Sequence, residues 1–156
     1  MTVAVVETWV EAPLKHFVDE ARVRLALLLH PSGQVLAQSG FTRAVDVMSA
    51  CALAAAIHAS AGELGKQLDG KPFHVLHHAG KVRQIFIAPA QTSRGLFIFL
   101  TVFDQESSLG LVQLYFGEFA ARLAEATPQV EPPPVVLAEN FERDLNRNLA
   151  ALFGRA

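Results

Sequence analysis

Several function classes are closed to this chain by what it lacks. It has 156 residues but a single cysteine, Cys51, so no disulfide can form within it, and a reducing, cytoplasmic setting is expected. The formal net charge is only −2, with no basic stripe anywhere, which argues against nucleic-acid binding. The longest apolar run, Leu96 to Phe103, falls far short of the roughly 20 residues that span a bilayer, so no membrane span is expected. The opening MTVAVVETWVEAP has no basic n-region and no long apolar core, and does not read as a signal peptide.

Catalytic signatures are missing as well. The nearest approach to a phosphate loop is SAGELGKQ, Ser60 to Gln67, where a serine replaces the first glycine and Gln67 replaces the magnesium-binding hydroxyl. It also falls late in a helical stretch. There is no GxSxG, Cys51 has no catalytic context, and the carboxylates are scattered singly. Of the six histidines, His74, His77 and His78 are close in sequence. On a strand, residues three apart face opposite ways, so His74 and His77 cannot share an ion, and they read as solvated edge-strand residues. The expectation is a protein that is not an enzyme, with no cofactor and no metal.

What is present is apolar pattern: 51% of residues are hydrophobic, enough for a sizeable core. Pro13 suits the first turn of a helix carrying Leu14, Phe17, Val18 and Ala21. Arg24–Leu29 and Val35–Gln38 flank the turn HPSGQ and form a hairpin. A helix follows from about Ala44 to Leu68, with Thr42 or Asp46 as cap and DGKP as its end. Three strand candidates come next, Phe73–His78, Val82–Ala88 and Leu96–Phe103, joined by hairpin-length loops. A third helix runs from near Ser108 to Ala126. In FDQESSLG before it, Asp104, Ser107 and Ser108 can satisfy its free N–H groups, and Gly110 can admit a close neighbour.

The resulting order is α-β-β-α-β-β-β-α plus a C-terminal helix. It predicts an α/β fold, a three-layer sandwich with a five-stranded antiparallel sheet and helices on both faces. The first and fifth strands are apolar on both alternating sides and should be central, while FHVLHH is more polar and should be an edge. Residues 12–126 form the domain, 127–136 a proline-rich linker, and 137–156 an amphipathic helix.

Two surfaces call for partners. On the second helix, Ala50, Leu53, Ala54, Ile57, Ala61, Leu64 and Leu68 share one side, assigned to the sheet. The opposite side carries Met48, Ala52, Ala55 and Ala59, and no Lys, Glu or Arg appears from Val47 to Gly62. That pattern favours a second copy packed about a two-fold axis. In the last helix, Phe141, Leu145, Leu149 and Phe153 repeat every four residues. The stripe either folds back on its own domain or docks in a partner's groove.

The element order, together with FDQESSLGLVQL and the Ala-rich SACALAAAIHASAGELGKQL, resembles the roadblock/dynein light chain superfamily, and its bacterial MglB branch in particular. The resemblance covers about Leu25 to Ala126, with a trailing segment comparable to that of MglB proteins. It implies a homodimer whose edge strands pair through Phe73, His74, Val75, Leu76 and His77. It implies a small Ras-like GTPase of the MglA type as partner, in a setting of cell polarity and gliding motility. Stimulated GTP hydrolysis without an arginine finger is implied too, as is a tail helix that contacts the GTPase. A scaffold without effect on hydrolysis, or a PAS- or profilin-like ligand sensor, are the competing readings.

Overall fold

The structure, a computed structural model, describes residues 7–41, 43, 45–129 and 135–153. In chain order it comprises α1 (Thr8–Ala21), β1 (Leu25–Leu29), β2 (Val35–Gly40), α2 (Val47–Asp69), β3 (Leu76–Ala79), β4 (Gln84–Thr92), β5 (Gly95–Phe103), α3 (Leu109–Ala126) and α4 (Val135–Phe153). The five strands make one antiparallel sheet in the order β2-β1-β5-β4-β3. The expected architecture is therefore present. β1 and β5 are adjacent at the centre, and β3 is an edge.

Alternation along β5 explains the layers. Phe97, Phe99 and Phe103 point into one core with Val10, Leu14 and Phe17 of α1 and Val112, Phe119 and Leu123 of α3. Ile98 and Leu100 point into the other, beneath Cys51, Ala54 and Ala55 of α2. In the first core, Phe99 meets Phe17 edge-on at 4.8 Å and Phe119 at 5.1 Å between ring centroids. These rings join α1 and α3 to the sheet.

Three boundaries differ from expectation. α1 begins at Thr8, so Pro13 lies inside the helix rather than in its first turn. An interior proline costs about 3 kcal/mol. Burial of Val10, Leu14 and Phe17 on one face, at about 1.5–3 kcal/mol each, outweighs that. β3 begins at Leu76, not Phe73. The chain before it is held against α2 at Gly65, where an added Cβ would sit only 2.7 Å from the Lys71 carbonyl oxygen and 2.8 Å from the Phe73 ring. β4 runs on to Thr92 through Pro89. β3 pairs only with Gln84–Ile87, so Pro89 lies on an open edge where its missing donor is harmless.

Candidate functional site

The turn between β5 and α3 is a clasp. Asp104 accepts from Arg24 Nε at 2.6 Å through Oδ2 and from the Glu106 N–H at 3.0 Å through Oδ1. The Arg24 guanidinium, with the Glu106 N–H, holds the Asp104 carboxyl below the ordinary carboxylate range. Ser107 Oγ donates to the Ala21 carbonyl at 2.5 Å, tying down the end of α1. Ser108 alone caps α3, accepting from the Leu111 N–H at 3.2 Å. Capping by all three side chains is thus corrected to one cap and two tertiary ties. Among the described residues, nothing lies within 4 Å of an added Cβ at Gly110, so none of them makes the expected close approach there.

α2 is capped by Asp46, which accepts from the Ser49 N–H at 3.2 Å. The other candidate cap, Thr42, lies outside the described residues. The helix ends at Gly70 in the left-handed conformation, φ 74°. Ser60–Gln67 is interior helix, consistent with its rejection as a phosphate loop.

The orientation of α2 is not the expected one. Cys51, Ala54 and Ala55 are buried on the sheet, and Gly65 is buried against the Lys71–Phe73 segment. Leu53, Ile57, Leu64 and Leu68, assigned to the sheet by the helical wheel, are 63%, 37%, 52% and 66% exposed. The helix is turned by roughly a quarter of a revolution from the sequence reading. The reason is size: Leu25, Leu27, Ile98 and Leu100 already fill this side of the sheet, and only small residues fit between them and the helix. Of the proposed self-contact residues, Met48, Ala52 and Ala59 are exposed as expected, but Ala55 is only 8% exposed and belongs to the core. Ala52 is flanked by the β1–β2 turn, its Cα 3.2 Å from where a Cβ on Gly33 would lie. The large apolar surface of α2 is therefore the Leu53–Ile57–Leu64–Leu68 stripe. Sequence reading missed it because it weighed polarity and not volume. α2 is long and apolar enough to cross a membrane by length and composition alone, but here it lies along the sheet.

At the sheet edge, His74, Val75 and His77 are exposed, and Phe73 and Leu76 are partly covered. Phe73, His74 and Val75 precede β3 rather than forming part of it. His77 lies within 2.7 Å of Gln84 Oε1 and stacks near Phe103 at 6.1 Å. Among the described residues, no three His, Cys, Asp or Glu side chains cluster as metal ligands.

Leu145 and Leu149 of α4 are exposed, as is every described side chain from Arg143 to Leu152. The side chains of Phe141 and Phe153 lie outside the described residues. A groove of about 440 Å³ runs along the outer side of α2 past Ala59, Glu63 and Leu64. A smaller one of about 230 Å³ lies at the sheet end between Arg24, Phe41, Val82 and Arg83. Among the described residues, no buried side-chain nitrogen or oxygen lacks a partner. None of these features favours the ligand-sensor reading.

Residues 10–103, more than half of the chain, match the family model of the Roadblock/LC7 domain. The chain belongs to the Roadblock/LC7 family. Its roadblock fold is similar to that of Myxococcus xanthus MglB, with a TM-score of 0.68 and 24% identity over 76% of this chain and 94% of that one. An MglB with a tetrameric arrangement matches with a TM-score of 0.67 and 27% identity, over 81% of this chain and 96% of that one. The gliding protein MglB of Thermus thermophilus gives 0.68 and 24%, over 81% and 97%. The sequence matches no curated protein. The ties made by Asp104, Ser107 and Ser108 of FDQESSLG are structural, whereas α2 and α4 carry exposed leucines and β3 is an open sheet edge.

Proposed function

We propose that this roadblock protein is a homodimeric regulator of a small Ras-like GTPase of the MglA type, and that it stimulates GTP hydrolysis without supplying an arginine finger. The observation that carries the reading is the exposed Leu53–Ile57–Leu64–Leu68 stripe on α2, beside an open β3 edge. An apolar stripe of that kind on a surface helix marks an interaction site. A second copy covers it economically, since a two-fold axis pairs the stripe with itself and lets the edge strands meet. Self-association is also in keeping with the tetrameric arrangement of the 27%-identical MglB. α4, with Leu145 and Leu149 exposed, is the arm that reaches the GTPase.

Single-turnover GTP hydrolysis by an MglA-type GTPase, with and without this chain, tests the proposal. Acceleration supports it. Binding without acceleration leaves the scaffold reading instead, and no binding at all removes this partner. Truncation after Pro134 is expected to leave thermal stability nearly unchanged and to weaken GTPase binding at least tenfold, about 1.4 kcal/mol. A large fall in melting temperature with intact GTPase affinity would place α4 in the domain's own core.

A further inference from the structure

At one end of the sheet, β2, β3 and β5 finish while β1 and β4 begin. Two large apolar side chains stand in solvent there: Phe41 is 62% exposed and Val82 is 72% exposed. Backbone bonds hold both in place. The Phe41 N–H donates to the Arg24 carbonyl at 2.8 Å, just after Gly40, where a φ of 98° and the nearness of that same carbonyl leave no room for a Cβ. Val82 lies in the turn that Gly80 closes, its N–H donating to the Arg83 carbonyl at 2.9 Å. The two side chains wall the groove of about 230 Å³ at this end, and Leu25, Val45 and Val102 give it an apolar floor. Single surface hydrophobics need no explanation, but a pair facing each other across an apolar floor marks a place for a partner.

The rim of the groove is basic. Lys81 and Arg83 flank Val82, and Arg43 lies between Phe41 and Val45 in the chain. All three are exposed, and among the described residues none of them makes an ion pair. The carboxylates nearby are committed within the chain: Asp104 is engaged by Arg24, and Asp46 caps α2 through Ser49. Glu106 lines the neighbouring groove, together with Arg22. In a chain whose formal net charge is −2, this end is therefore a basic spot. An apolar slot with a cationic rim is complementary to an apolar anchor set between carboxylates.

We infer that this groove docks an acidic peptide segment of a partner protein, one apolar side chain entering between Phe41 and Val82 while flanking carboxylates meet Arg43, Lys81 and Arg83. A flat anionic lipid surface would reach the two protruding side chains and leave the recessed floor uncovered, so a peptide fits the shape better. No residue of the Leu53–Ile57–Leu64–Leu68 stripe lines the groove, and the site does not depend on the dimer proposed above.

Fluorescence anisotropy reads the site, with the full chain titrated into dye-labelled peptides, each a run of glutamates around one phenylalanine, tryptophan or leucine. At least one peptide is expected to bind saturably, and more weakly as salt rises from about 0.05 M to about 0.5 M. The same peptides with lysine in place of glutamate are expected not to bind. Phe41→Ser and, separately, a Lys81→Glu, Arg83→Glu variant are expected to lose at least tenfold in affinity, with melting temperature and sedimentation coefficient unchanged. Absence of binding by every glutamate peptide overturns the proposal, as does binding that both variants keep. Vesicles of phosphatidylserine and phosphatidylcholine form the other arm. A chain that binds them through Phe41 and ignores the peptides has a membrane site here, and the peptide site is refuted.

Discussion

Two substitutions on one helix separate the sheet-facing side of α2 from its outer side. Ala55 is buried with Leu25, Leu27 and Leu29. Ala55→Glu places a carboxylate there with no partner, at a cost of several kcal/mol for the charge and about 1–3 kcal/mol for the added volume. A domain of this size has about 5–15 kcal/mol of stability in all. The variant is therefore expected to be largely unfolded. Leu64, by contrast, is half-exposed. Leu64→Glu should change the stability of the isolated fold by no more than about 0.5 kcal/mol. In a two-fold dimer, however, each substitution counts twice. Full burial of a leucine is worth about 1.5–3 kcal/mol, and about half of that remains to be gained on association. Two copies lose about 2 kcal/mol, and desolvating two carboxylates adds to it, so the Kd should rise about 100-fold. Urea titration and light scattering on both variants give the answer. A folded, monomeric Ala55→Glu protein, or a Leu64→Glu protein that still dimerises at its original Kd, would refute the orientation of α2 or its role.

Two further outcomes follow from groups elsewhere in the fold. Burial pushes the Cys51 thiol up to about 11, so native protein at about pH 8 should not react with a thiol-specific disulfide reagent until it is unfolded by denaturant; rapid labelling of native protein would contradict this. Asp104→Asn removes the charge that Arg24 engages. Because the Asp104 carboxyl sits below its ordinary value of 3.8, its contribution is present above that value and is lost as pH falls through the lower folded-state value. The variant should unfold at lower urea than the parent at neutral pH, with the gap closing in acid.

The sheet was legible because its signals were two-sided. β1, buried at every position, and β5, apolar on both alternating faces, could only be central. Polar FHVLHH could only be an edge, although the start of β3 depended on a contact with Gly65 that no local pattern announces. α2 was legible as a helix but not in its orientation. A wheel finds the core side by contrast with a polar side, and from Val47 to Gly62 there is no Lys, Glu or Arg to supply one. Where every side is apolar, the tertiary surface chooses by volume. It took Cys51, Ala54 and Ala55, and left the leucines outside. Of the self-contact residues read from the wheel, Met48, Ala52 and Ala59 are exposed and Ala55 alone is taken into the core, for that reason.

That inversion also says where partner choice can reside. FDQESSLG is one of the stretches that carry the family resemblance, yet its Asp104, Ser107 and Ser108 side chains are already committed. Asp104 uses both oxygens within the chain, Ser107 holds α1, and Ser108 caps α3. A side chain so engaged has little left to offer a second molecule, so variation there should move stability and spare recognition. The α2 stripe has the opposite character. Its leucines contribute little to the monomer's core, and a substitution among them costs the fold little while changing the surface that the proposed function gives to a partner. Roadblock proteins can therefore keep the turn and diverge in partners. A comparison of α2 outer faces, rather than of the turn, is the one that should sort them.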